Sequence, residues 1–279
     1  MNAPNPIHPL PLAVLICAAL AGAPSAQEAI ATDPSAPFPE APEQAGFRDD
    51  FDSLDKDRWY VSDGWTNGEH QDCHWSAGAV QVKDGKLTLF RIPAPPAPAS
   101  GKSLPPRCGE VQTKGFFRYG TFEARIRTPK ASGMNASVFT YAGPVHDYPH
   151  SEIDIEILTR NPGELAYNTF VDGKPMNGKT VPVAPPIDEA FHDVAFRWGP
   201  DGITWYTDGE ETYRTAPGAT LPDFPQKLYM SLWSTTKLVD WMGPLRKDVG
   251  IESYEIDWVA YTPLDKACLF PESVTCKAP

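Results

Sequence analysis

From Ser151 to Leu158 the chain alternates strictly, with Glu152, Asp154 and Glu156 set between Ile153, Ile155 and Ile157. A period of two belongs to a β-strand, whose successive side chains point to opposite faces. One face of this strand is apolar and ready for burial, and the other carries three carboxylates. Like charges side by side on one strand face repel and add nothing to the fold. A solvated face would explain one or two of them; three in a row point to chemistry.

The rest of the chain repeats the β signal. Short Val/Ile/Phe/Tyr/Trp runs separated by Gly, Pro, Asn and Asp predict strands at 80–82, 86–91, 119–127, 136–141, 152–158, 165–171, 191–198, 202–207, 227–232 and 255–261. Lys83-Asp84-Gly85-Lys86 and Thr207-Asp208-Gly209-Glu210 are hairpin turns by composition. No long stretch has a period of 3.6. The expected fold is all-β, a β-sandwich of jelly-roll type.

A chain of 279 residues holds one large β domain or two smaller ones. Its formal net charge of −12 argues against nucleic acid or an anionic membrane as partner. A neutral substrate suits it better than an anionic polymer, since no Lys/Arg run is present. Residues 1–26 hold an apolar run from Leu10 to Ala21 followed by small residues, which reads as an export signal. Residues 27–46 read as a Pro/Ala-rich linker, 47–263 as the folded domain and 264–279 as a C-terminal tail. The Pro-rich stretch 93–106 is expected to be a surface loop. Of five cysteines, Cys17 falls in the export segment, which leaves an even number suited to an oxidising compartment. Cys268 and Cys276 are a candidate staple for the tail.

Paired carboxylates on one face suit glycoside hydrolysis. A retaining glycosidase holds a nucleophile and an acid/base about 5–5.5 Å apart. Glu152 and Glu156 are about 13 Å apart at their Cα atoms on a strand rising ~3.3 Å per residue. Their long side chains must therefore lean together across a twisted sheet. Asp154 between them would help to keep one neighbour protonated and the other ionised. A Ca²⁺ or Mg²⁺ site is the alternative for an acidic trio, but metal loops use bends and carbonyls that an uninterrupted strand lacks. The His70/His74 and His146/His150 spacings suit a metal only on a helix.

Glu152-x-Asp154-x-Glu156 resembles the signature of the family 16 glycoside hydrolases, in the form found in bacterial licheninases (endo-β-1,3-1,4-glucanases). Neighbouring stretches agree in order and spacing, among them Ser62-Asp63-Gly64-Trp65-Thr66-Asn67-Gly68, Cys108-Gly109-Glu110, Tyr119-Gly120-Thr121-Phe122-Glu123 and Asp240-Trp241-Met242-Gly243. The resemblance covers about residues 47–262 and implies a jelly roll with substrate crossing the concave sheet.

It further implies Glu152 as nucleophile, Glu156 as general acid/base and Asp154 as their helper. Trp65, Trp233 and Trp241 are implied as sugar-stacking platforms, and Asn67, Glu110, Tyr141 and Asn168 as partners of sugar hydroxyls. Cys73 and Cys108 match a disulfide pair near the cleft, whereas His192 is taken as structural. No cofactor is needed for the chemistry; a structural Ca²⁺ on the convex side would use Asp257 with carbonyls near Asp50 and Gly85. Four cleft positions depart from the licheninase pattern: Gln112 for Arg, His150 for Trp, Phe170 for Tyr and Ser231 for Asn. The expected protein is a secreted or periplasmic monomer that cleaves a neutral β-linked polysaccharide such as β-1,3-1,4-glucan. Transglycosylation, another β-glycan, or glycan binding without cleavage are the alternatives.

Overall fold

The computed structural model describes residues 44–96 and 104–277. The export segment, nearly all of the 27–46 linker and the middle of the Pro-rich loop lie outside the described residues. The described part belongs to one compact unit. It begins with the short strands β1 (Phe47–Asp49), β2 (Trp59–Val61) and β3 (His74–Trp75). The hairpin β4 (Val80–Lys83) and β5 (Lys86–Ile92) follows, then β6 (Arg107–Thr113), β7 (Gly120–Arg127) and β8 (Met134–Ala142). Next come β9 (Ser151–Leu158), β10 (Glu164–Val171) and β11 (Lys174–Pro182). The chain continues through β12 (His192–Gly199), β13 (Gly202–Thr207), β14 (Glu210–Arg214), β15 (Lys227–Ser234) and β16 (Glu252–Thr262). Among the described residues α-helix is confined to two single turns, α1 (Val239–Met242) and α2 (Val274–Lys277).

Two layers result. The concave layer runs β11-β10-β9-β8-β15-β6, with β2 added on β6. The convex layer runs β5-β16-β7-β12-β13-β14, with β4 on β5 and β1 on β16. Strand β6 belongs to both: Gly109–Gln112 pair with β15, while Arg107 and Cys108 pair with β5. This is the jelly-roll sandwich expected of the sequence.

Alternation explains the core. Ile153, Ile155 and Ile157 are fully buried between the layers with Phe196, Trp205 and Val259. Burying one such side chain is worth roughly 1.5–3 kcal/mol, so β9 has one register, and a slip by one residue would put the carboxylates into the core. The indole of Trp205 donates to the backbone carbonyl of Asp154 at 3.1 Å, tying the acidic strand to the opposite layer. The turn Asp84-Gly85 has both central residues at positive φ (54° and 68°), as does Asp208-Gly209 (52° and 86°). That geometry matches the twist of the flanking strands and favours Asp-Gly.

The short strands β1, β2, β3 and β14 were not predicted, nor were the longer β6 and β11. In β6 the apolar signal is broken by Gly109 and by Glu110 and Gln112, which point into the cleft. In β11 the sequence is polar because it is an exposed edge. The C-terminal tail packs on the convex layer: Phe270 lies 5.2 Å from the Trp258 ring, and Glu123 accepts from Ser273 Oγ and from the Val274 N–H. Disulfides join Cys73 to Cys108 and Cys268 to Cys276. On the same layer Arg125 bridges Asp193 (2.9 Å) and Asp257 (3.4 Å). The Asp257 carboxylate, the residue implied for a structural Ca²⁺, is part-exposed and meets Arg125 through Oδ2 alone.

Candidate active site

Strand β9 presents Glu152, Asp154 and Glu156 on the face opposite the isoleucines, toward a cleft of about 840 Å³. Trp65, Asn67, Glu110, Tyr141 and Trp233 line it. An adjoining hollow shares the three carboxylates and Trp233, and adds Asn168, Phe170 and Trp241. The acidic trio therefore sits where the two hollows meet. All seven residues implied as sugar contacts lie along this path. Trp65 and Trp241 keep their rings partly exposed (37% and 38%), as stacking on a pyranose requires. His192, by contrast, is buried on β12 of the convex layer with its Nδ1 2.7 Å from Asp208 Oδ2, and its part is structural.

Cross-strand register sets the trio's surroundings. On β8, Tyr141 pairs with Glu152, Phe139 with Asp154 and Ser137 with Glu156. On β10, Phe170 faces Glu152 and Asn168 faces Asp154. Asn135 donates from Nδ2 to Glu156 Oε1 at 2.7 Å, and His150 Nε2 lies 2.6 Å from Glu152 Oε2. His70, Phe139, His146, Lys227 and Tyr229 also line the cleft. The sequence reading did not single out Asn135. Its signal was the alternation Asn135, Ser137, Phe139, Tyr141, which puts all four on one face of β8.

Electrostatics separate the three carboxyls. Burial pushes Asp154 well above the usual range, helped by the charges of Glu152 and Glu156 and by its hydrogen bond to Glu152. The raised value favours the protonated form of Asp154, whose O–H donates a hydrogen bond to Glu152. Burial also raises Glu156, to about 7; Asn135 pulls it down and Glu152's charge pushes it up. With a value near 7, Glu156 can exchange a proton at neutral pH.

Glu110 is wholly buried in the cleft floor and accepts from Ser62 Oγ at 2.6 Å. Burial raises it to about 8. A carboxyl raised by folding stabilises the fold fully below its unfolded value near 4.5, and that contribution is lost as pH climbs through 8. Above pH 8 the loss approaches roughly 5 kcal/mol. Glu110→Gln keeps the acceptor for Ser62 without an ionisable proton. We expect its melting temperature to exceed the parent's above pH 8 and to match it near pH 5, as thermal scans across that range would show.

The chain's relatives agree with this geometry. Residues 67–260 match the family model described as glycosyl hydrolases family 16. The endo-1,3-1,4-beta-glycanase ExoK of Rhizobium meliloti is 40% identical over 234 residues, 83% of this chain and 84% of its own. A beta-glucanase of Bacillus subtilis is 33% identical over 217 residues, 77% of this chain and 86% of its own. Among solved structures, a beta-1,3-1,4-glucanase (lichenase) from a mouse hindgut metagenome superposes with a TM-score of 0.72 at 33% identity, covering 79% of this chain and all of that one. A laminarinase catalytic domain from Thermotoga petrophila, at 19% identity and a TM-score of 0.66, shares the fold. With its acidic strand, its cleft and these relatives in agreement, the chain belongs to family 16 of the glycosyl hydrolases and is a glycoside hydrolase.

Proposed function

We propose that this enzyme is an exported, retaining endo-β-glucanase that hydrolyses β-1,3-1,4-glucan or a closely related β-glucan. The observation that carries the reading is the placement of Glu152, Asp154 and Glu156 on one face of β9 inside the cleft, with Glu156 raised to about 7 by burial and Glu152 in contact with His150. In the first step Glu152 attacks the anomeric carbon while Glu156 gives its proton to the departing glycosidic oxygen, forming a glycosyl-enzyme ester. In the second, Glu156 takes a proton from water, which attacks the anomeric carbon, and Glu152 leaves as carboxylate. The sugar keeps its configuration because each step inverts it. Two disulfides suit an oxidising compartment outside the cytosol.

The linkage rests on the names of relatives, and four cleft positions depart from the licheninase pattern, so the test is a panel. Mixed-linkage β-glucan, laminarin, xyloglucan, agarose and carrageenan are each incubated with the protein. We expect oligosaccharides from mixed-linkage glucan, with the β-anomer appearing first by proton NMR. First appearance of the α-anomer would end the retaining mechanism. Cleavage of a different polymer alone would move the substrate, and products longer than the starting chains would mark a transglycosylase.

A further inference from the structure

His150 stands directly before β9, two residues from Glu152, and three contacts fix it. Its ring stacks on Phe170 with centroids 4.9 Å apart and planes 15° apart. The Tyr141 ring meets it edge-on at 5.2 Å. Its backbone carbonyl accepts from the Gly173 N–H at 3.1 Å. Because Phe170 is the register partner of Glu152 on β10, this stack brings the imidazole edge to the carboxylate. The result is the 2.6 Å contact between Nε2 and Oε2. A carboxylate only accepts, so Nε2 carries the proton in this contact.

We propose that His150 is a positioning residue for the glycosyl-transfer step: its Nε2–H clamps one oxygen of Glu152 and leaves the other aimed at the anomeric carbon. The inference rests on Glu152 being the nucleophile. A Glu side chain has three rotatable bonds, and one donor leaves its carboxylate plane free to swing. Asp154 and His150 together give it two donors. The clamp persists through the reaction. When Glu152 forms the ester, the clamped oxygen becomes the ester carbonyl and still accepts from Nε2–H; when the ester breaks, the same donor receives the returning charge. A nucleophile displaced by about 1 Å loses on the order of 10²-fold in rate. The competing role for His150 is a flat platform for the sugar, which needs the ring but not the proton.

Two variants separate these roles. His150→Phe keeps a ring to stack on Phe170 and has no donor; His150→Gln has no ring but carries an N–H at similar reach. The probe is an epoxyalkyl β-cellobioside, which esterifies a glycosidase nucleophile, with the labelled peptide identified by mass spectrometry. Label on Glu152 in the unchanged protein is the first requirement. Its absence there, or label on another residue, overturns the nucleophile assignment and the clamp with it. Given that label, we expect the maximal inactivation rate of His150→Phe to fall roughly 10- to 100-fold with the half-saturating probe concentration within about twofold, and His150→Gln to recover most of the rate. Circular dichroism and melting curves confirm that both variants fold. A His150→Phe rate equal to that of the unchanged protein overturns the clamp. So does a His150→Gln no faster than His150→Phe, or a loss confined to probe affinity, which assigns the ring to sugar stacking.

Discussion

Glu152→Gln is expected to lower turnover of the polysaccharide by at least about a thousandfold, with the fold intact and the glycan still bound. The amide is nearly isosteric with the carboxylate, so the register of β9 and its buried isoleucines is undisturbed. Its oxygen still accepts from His150 or Asp154, but it carries no charge with which to attack. The assignment is sharper in Glu152→Ala supplied with azide and a substrate bearing a good leaving group. Azide then occupies the face that the carboxylate vacated, and the product is the α-glycosyl azide. Turnover of the Gln variant within tenfold of the parent, or a β-azide from the Ala variant, would remove Glu152 from its role.

The second large effect belongs to Glu156. With this carboxyl raised to about 7, kcat/KM should fall as pH rises through that value, because the free enzyme loses the proton that the leaving oxygen needs. Glu156→Gln should abolish that alkaline limb and slow polysaccharide cleavage by roughly 10²–10⁴-fold. Azide with Glu156→Ala attacks the glycosyl-enzyme ester rather than the substrate, so here the product is the β-azide. The hydrogen bond from Asn135 pulls Glu156 down, so Asn135→Ala should carry the limb upward. A pH–rate profile unchanged in Glu156→Gln would assign the proton to another group.

Much of this site was legible in one strand. Glu152, Asp154 and Glu156 alternate with isoleucines, and period two is a local property that a sequence states outright. The Asp84-Gly85 and Asp208-Gly209 turns were legible for the same reason, since positive φ at both central positions selects those residues. Strand β6 was not, because Glu110 and Gln112 are buried polar residues that break the apolar signal yet lie inside the fold. Asn135 and His150 were visible as residues but not as partners of Glu156 and Glu152. Those contacts depend on how β8, β9 and β10 align, and register is decided by the whole sandwich. The same holds for charge: nothing in the letters Glu-Ile-Asp-Ile-Glu says which carboxyl keeps its proton, since burial decides that.

The C-terminal tail packs on the convex layer through Phe270, Ser273 and Val274, and β1 pairs with β16 of that layer too. Both ends of the folded domain are thus moored to the layer that does not carry the cleft. A tether attached at either end, whether to a bead, an electrode or a scaffold protein, would leave the sugar-binding groove looking outward. A long, stiff polymer would then thread past an immobilised molecule without meeting its support.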